Sequence, residues 1–147
     1  MIARHAFQLH PQLEQDTVSI GRFALCRVLL MNESRYPWVI LVPERPDVRE
    51  IYALPESDQL QLMRESSALA GHLDRIFAAD KINIAAIGNV VQQLHLHHVV
   101  RFRHDAAWPA PVWGRFAPQP YTEAALDRMM AALQLAELPG LIRTAIA

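Results

Sequence analysis

The run Trp38-Val39-Ile40-Leu41-Val42 is apolar throughout, and Pro43 stops it. Five residues are too few for a helix, and Val39, Ile40 and Val42 are β-branched, so the run predicts a buried strand. A second strand is predicted over 21–31, where Phe23, Leu25, Val28, Leu29 and Leu30 crowd too closely for a surface helix. The polar stretch Asn32-Glu33-Ser34-Arg35 and Tyr36-Pro37 make the turn between the two strands, which completes a hairpin.

Downstream, the pattern changes to helical. Leu62, Leu69, Leu73 and Ile76 fall on one helical face, with Met63 and Phe77 widening it, which predicts a long helix over 57–79. Residues 81–87 read as a strand with Ile82 and Ile84 on one face. Gly88-Asn89 signals a turn, and 93–103 reads as another strand. Four prolines between 105 and 120 predict an extended loop. A helix follows at about 121–136, ended by Pro139-Gly140. Short connections between adjacent strands favour an antiparallel sheet, and a helix on one face gives an α+β class. The 147 residues fit one domain, with a core over about 10–120 and a C-terminal helix.

Composition narrows the function. The net charge of −1 and pI of about 6.6 give no basic excess for nucleic-acid binding, so none is expected. No apolar stretch approaches the ~20 residues that span a bilayer, and no signal-peptide core follows Met1. The single cysteine, Cys26, forbids an intramolecular disulfide and reads as a buried structural thiol. A cytoplasmic location is the expectation.

The chemistry concentrates in Gln93-Leu94-His95-Leu96-His97-His98-Val99. In a strand, Gln93, His95, His97 and Val99 share one face, while Leu94, Leu96 and His98 share the other. Same-face neighbours lie roughly 6.6 Å apart, a spacing that sets two imidazoles along one phosphate group. One ring can attack phosphorus while the next hydrogen-bonds an oxygen. The spacing fits a solvated polar edge equally well. His98, alternating with Leu94 and Leu96, reads as a packed structural histidine. A metal site from His95, His97 and His98 is disfavoured because His98 faces away and no paired His or Cys spacing supports it. No metal and no cofactor are expected.

The segment resembles the signature of the histidine triad (HIT) family, in which three histidines alternate with apolar residues. His95 falls on the middle, nucleophilic position and His97 on the third, while Gln93 replaces the first. The likeness extends to Leu30-Met31-Asn32, to Val39-Ile40-Leu41-Val42-Pro43, and to Ala107-Trp108-Pro109-Ala110-Pro111-Val112-Trp113-Gly114. This last block is similar to a bacterial branch that keeps glutamine at the first triad position. The resemblance covers roughly residues 10–120. It implies a five-stranded antiparallel sheet with helices on one face, a homodimer, and a nucleotide ligand. That ligand is a nucleoside monophosphate moiety carried as a phosphoramidate, a dinucleoside polyphosphate or a nucleotide–sugar-type ester. It further implies a nucleotidyl-histidine intermediate at His95, a phosphate or leaving-group contact at His97, and Asn32 near the ribose. Asn89 and Arg101 are phosphate contacts on the same basis, each with a turn or surface role in competition. Trp38, standing where many members have a histidine, walls the base pocket or packs in the core. Gln93 can hold a phosphate oxygen or orient His95, but it carries no proton at neutral pH. That substitution motivates a second reading, a nucleotide-binding module with little catalysis.

Overall fold

A computed structural model describes residues 5–144. The elements run α1 (Pro11–Asp16), β1 (Thr17–Arg22), β2 (Cys26–Met31), β3 (Trp38–Pro43), α2 (Glu56–Phe77), β4 (Lys81–Ala85), β5 (Leu96–Arg101), α3 (Glu123–Ala132) and β6 (Ile142–Arg143). The strands form one sheet in the order β4-β5-β3-β2-β1-β6, and each paired neighbour is antiparallel. The α+β class is as read from the sequence. The sheet has six strands where five were expected, the sixth being the two-residue β6 at its edge.

β3 lies inside the sheet, paired on both sides and buried at all six positions, which accounts for its unbroken apolar run. On one face, Val28, Leu30, Val39, Leu41, Leu96 and Val100 pack against Leu62, Leu69 and Leu73 of α2 and against Leu133, Leu135 and Leu138 near the C-terminus. On the other, Leu29, Trp38, Ile40, Val42 and Val99 meet Leu13, Val91, Ala107 and Val112, with Phe7, Leu9 and Trp113 packed around them. The second face is therefore covered by the N-terminal segment and by the proline-rich loop, neither of which is a long helix.

Several elements differ from the sequence reading, β4 ending at Ala85 rather than at 87 and α3 covering Glu123–Ala132 of the expected 121–136. The stretch 21–31 is not one strand: Phe23 N donates to Cys26 O at 2.8 Å and closes a tight turn between β1 and β2. That turn is pinned by Glu65 of α2, whose carboxylate accepts from Leu25 N at 3.0 Å and Cys26 N at 2.8 Å. Burial, with Glu65 adding to it, pushes the Cys26 thiol up and leaves it an inert core residue. β5 begins at Leu96 rather than at 93, because Leu94 N turns aside to donate to Val48 O. α1, with Leu13 as its one buried residue, is too short to show a helical period.

Gly21 lies where β6 crosses closest to β1. A Cβ there would stand 2.8 Å from Ile142 O and 3.0 Å from the Leu141 side chain. Backbone cannot yield as a flexible side chain does, so Gly21→Ala should displace β6 and cost about 1–3 kcal/mol. Urea unfolding measures this, and an unchanged midpoint would show that β6 adapts without loss.

Candidate active site

His95 precedes β5 and His97 lies within it, paired with Ile40 on one side and Ala85 on the other. Both rings are buried, with centroids 4.8 Å apart and planes at 69°. Their hydrogen bonds fix opposite tautomers. His95 Nδ1 lies 2.6 Å from the carbonyl of Gln93. A carbonyl only accepts, so the ring proton sits on Nδ1 and Nε2 carries the lone pair. His97 Nδ1 lies 3.0 Å from Trp38 Nε1. An indole N–H only donates, so His97 keeps its proton on Nε2. One ring therefore offers a nucleophile and its neighbour offers a donor.

Both rings are neutral near pH 7. Burial holds His95 below the usual imidazole range; the Gln93 carbonyl opposes that shift and His10 adds to it. His97 is pushed down to about 3 by burial first and then by His95 and His98. Trp38 and Trp113 meet His97 edge-on at 5.6 and 5.4 Å, so its ring has little freedom to turn. His98 lies on the face opposite His95 and His97 and is packed, as its alternation with Leu94 and Leu96 indicated, and that face meets α2. Its Nε2 is 2.7 Å from Ser66 Oγ, and it is wholly buried.

Trp38 thus has a role that reaches His97 directly. Trp38→Phe keeps the packing and removes the donor, freeing His97 to move its proton to Nδ1. We expect the His97 tautomer to switch with the fold intact. Nitrogen-15 spectra of the imidazoles check this; an unchanged tautomer would show that the Trp38 indole does not set it.

Two cavities flank these histidines. One, of about 370 Å³, is lined by Met31, Asn32, Tyr36, Trp38, Trp113 and Phe116 among others. The other, of about 200 Å³, is lined by His95, Gln93, Gln92, Gly88, Arg49 and Glu50 among others. His95 opens into the smaller cavity only, while the aromatic rings beside His97 wall the larger. The larger space is mostly apolar and suits a flat, largely apolar group. Asn32 lines it, with Oδ1 accepting from Tyr121 N at 2.9 Å and, among the described residues, no acceptor for its amide N–H groups.

Three expectations change. Gln93 does not turn its amide to a phosphate: Oε1 accepts from His10 N at 2.9 Å and Nε2 donates to Gln8 O at 2.8 Å. It is the backbone carbonyl of Gln93, not its side chain, that orients His95. Arg101 is not an open phosphate contact. It is buried, with Nε 2.9 Å and Nη2 3.1 Å from Asp105, Nη1 2.8 Å from Asn83 and Nη2 2.8 Å from Ala110 O. Asn89 is exposed and lines neither cavity described above.

The sequence reading missed Asp105, Asn83 and His10. Asp105 stands four residues after Arg101, a spacing without meaning outside a helix until the loop folds back. Its carboxylate also accepts from the backbone N–H groups of Phe102, Ala107 and Trp108. Burial pushes its pKa up, but Arg101 and these N–H groups outweigh burial and hold it below the usual carboxylate range. Among the described residues there is no cluster of His, Cys, Asp and Glu fit to hold a metal ion, and no helix is long and apolar enough to cross a membrane.

The HIT domain family model matches residues 12–104. A histidine triad protein from Marinobacter aquaeolei is 51% identical over 91% of this chain and 99% of its own, with a TM-score of 0.87. One from Bradyrhizobium japonicum is 45% identical over 88% and 97%, with a TM-score of 0.85. One from Sinorhizobium meliloti is 42% identical over 86% and 94%, with a TM-score of 0.83. A comparison with curated proteins gives no match.

Proposed function

This chain belongs to the histidine triad family, and we propose that it is a nucleotide hydrolase or nucleotidyl transferase whose nucleophile is Nε2 of His95. Family membership supports nucleotide-binding hydrolase or transferase chemistry at a general level. The observation that carries the finer reading is the opposed pair of tautomers, a lone pair on His95 beside an N–H on His97.

The steps follow from those atoms. The His95 Nε2 lone pair forms a bond to the α-phosphorus, and the bond from phosphorus to the leaving oxygen or nitrogen breaks with its electron pair, the leaving atom taking up a proton from solvent. His95 becomes positively charged as it bonds, and the Nδ1–H to Gln93 carbonyl contact stabilises that charge. His97 Nε2–H donates to a phosphoryl or leaving-group oxygen. Water, or another acceptor, then attacks phosphorus and gives up a proton to solvent, and the phosphorus–nitrogen bond pair returns to His95 Nε2 as the nucleotide is released. The base and ribose occupy the larger cavity, with Asn32 at the ribose and Trp38 in its wall. The substrate is a nucleoside phosphoramidate or a dinucleoside polyphosphate, and the working form is a homodimer in the cytoplasm.

Rapid mixing with adenosine 5′-phosphoramidate tests the reading. The expected result is a burst of released ammonia followed by steady AMP formation. AMP binding without release would leave the chain a binding module. The neutral, oriented His95 favours the enzyme over that module.

A further inference from the structure

We propose that His10 is a second donor of this site, placing its Nε2–H on a phosphoryl oxygen of the bound nucleotide, and that Gln93 works by holding His10 in position. The inference rests on the nucleotide reading above.

Gln93 bonds the main chain on both sides of Leu9, accepting from His10 N at 2.9 Å and donating to Gln8 O at 2.8 Å. Its own carbonyl takes the Nδ1–H of His95 at 2.6 Å. A single residue thus ties the backbone of His10 to the ring of His95. His10 lines a cavity of about 390 Å³, and Arg49, Gln92 and Gln93 line both that cavity and the one into which His95 opens. Sharing three lining residues, the cavity at His10 adjoins the one into which His95 opens. Burial is the main cause of the lowered proton affinity of His95, and His10 is near enough to add to it.

The His10 tautomer is also fixed. Gln12 N–H donates to His10 Nδ1 at 3.0 Å, so the ring proton of the neutral form sits on Nε2. The ring is exposed, and among the described residues no group accepts from Nε2. Arg49 lines both cavities, with Glu50 in one and Asp47 in the other, so the walls are not uniformly basic. Recognition of an anion there falls to directed donors. In this arrangement the glutamine at the first triad position does not replace the missing imidazole; it fastens one that arrives from the N-terminal segment.

His10 also caps the first turn of α1 through Nδ1. His10→Asn separates the two roles, because asparagine keeps an acceptor for Gln12 N–H and loses the Nε2–H. Calorimetry with AMP and with adenosine on the wild type, His10→Asn, Gln93→Ala and the double variant gives the test. Each single substitution should weaken AMP about tenfold and leave adenosine within about twofold. The double variant should bind AMP no worse than the weaker single, since Gln93 acts through His10. Equal losses for AMP and adenosine, no loss, or additive losses overturn the inference while leaving the nucleotide reading intact. A wild type that binds neither ligand overturns both. If His10→Asn fails to fold, the His10 ring signal in the wild type decides: AMP should shift it and adenosine should not, and a ring unmoved by AMP overturns the inference.

Discussion

His95→Ala is expected to lower turnover of a nucleoside phosphoramidate by about a thousandfold or more, with AMP affinity changed little. The substitution deletes Nε2, the atom proposed to form the covalent bond, and leaves the residues lining the larger cavity around Trp38 and Trp113 in place. The wild-type pH profile carries a second signature. Protonating Nε2 destroys the nucleophile, and burial holds His95 below its ordinary value of 6.5. Activity should therefore persist as pH falls through 6.5 and be lost only below it, through the His95 pKa itself. Steady-state rates from pH 4 to 8 check both points. Full activity in His95→Ala, or a limb lying above 6.5, contradicts the assignment.

Arg101→Ala should be the most destabilising single change in the loop region, at about 3–5 kcal/mol. The ion pair with Asp105 is almost wholly buried, with side-chain exposures of 2% and 4%. Removing the guanidinium strands a carboxylate away from water and orphans the carbonyl of Ala110 and the side-chain oxygen of Asn83. It also cuts the chain between β5 and the loop that carries Trp113 against His97. The stability loss should therefore come with loss of turnover even under conditions where the variant remains folded. Equilibrium urea unfolding gives the magnitude. A cost under about 1 kcal/mol would place Arg101 with ordinary surface ion pairs and return it to the set of free phosphate contacts.

Arg101 and Gln93 also mark where reading from sequence stops. Hydrophobic period and residue type report burial and face, and there they served well. The long helix came within two residues of Glu56–Phe77 at each end, β3 was evident from its apolar run, and His98 was read as a packed histidine on the face opposite His95 and His97. Hydrogen-bond partners distant along the chain leave no such trace. Gln93 binds Gln8 and His10 more than 80 residues away, and Glu65 pins a turn some 40 residues earlier. An arginine on a strand reads alike whether it faces a phosphate or a folded-back loop. His95 and His97 were legible because alternation is local. Their tautomers were not, because these depend on the carbonyl of Gln93 and the indole of Trp38, both placed only by the fold.

The central claim is a covalent bond from His95 to phosphorus. Its most direct test is to mix the protein with adenosine 5′-phosphoramidate, stop the reaction in alkaline denaturant to preserve the nitrogen–phosphorus bond, and map the adduct by mass spectrometry. The account predicts one adenylyl group per chain, on the peptide containing His95, and none in His95→Ala. Turnover with no adduct, or an adduct on another residue, would contradict it.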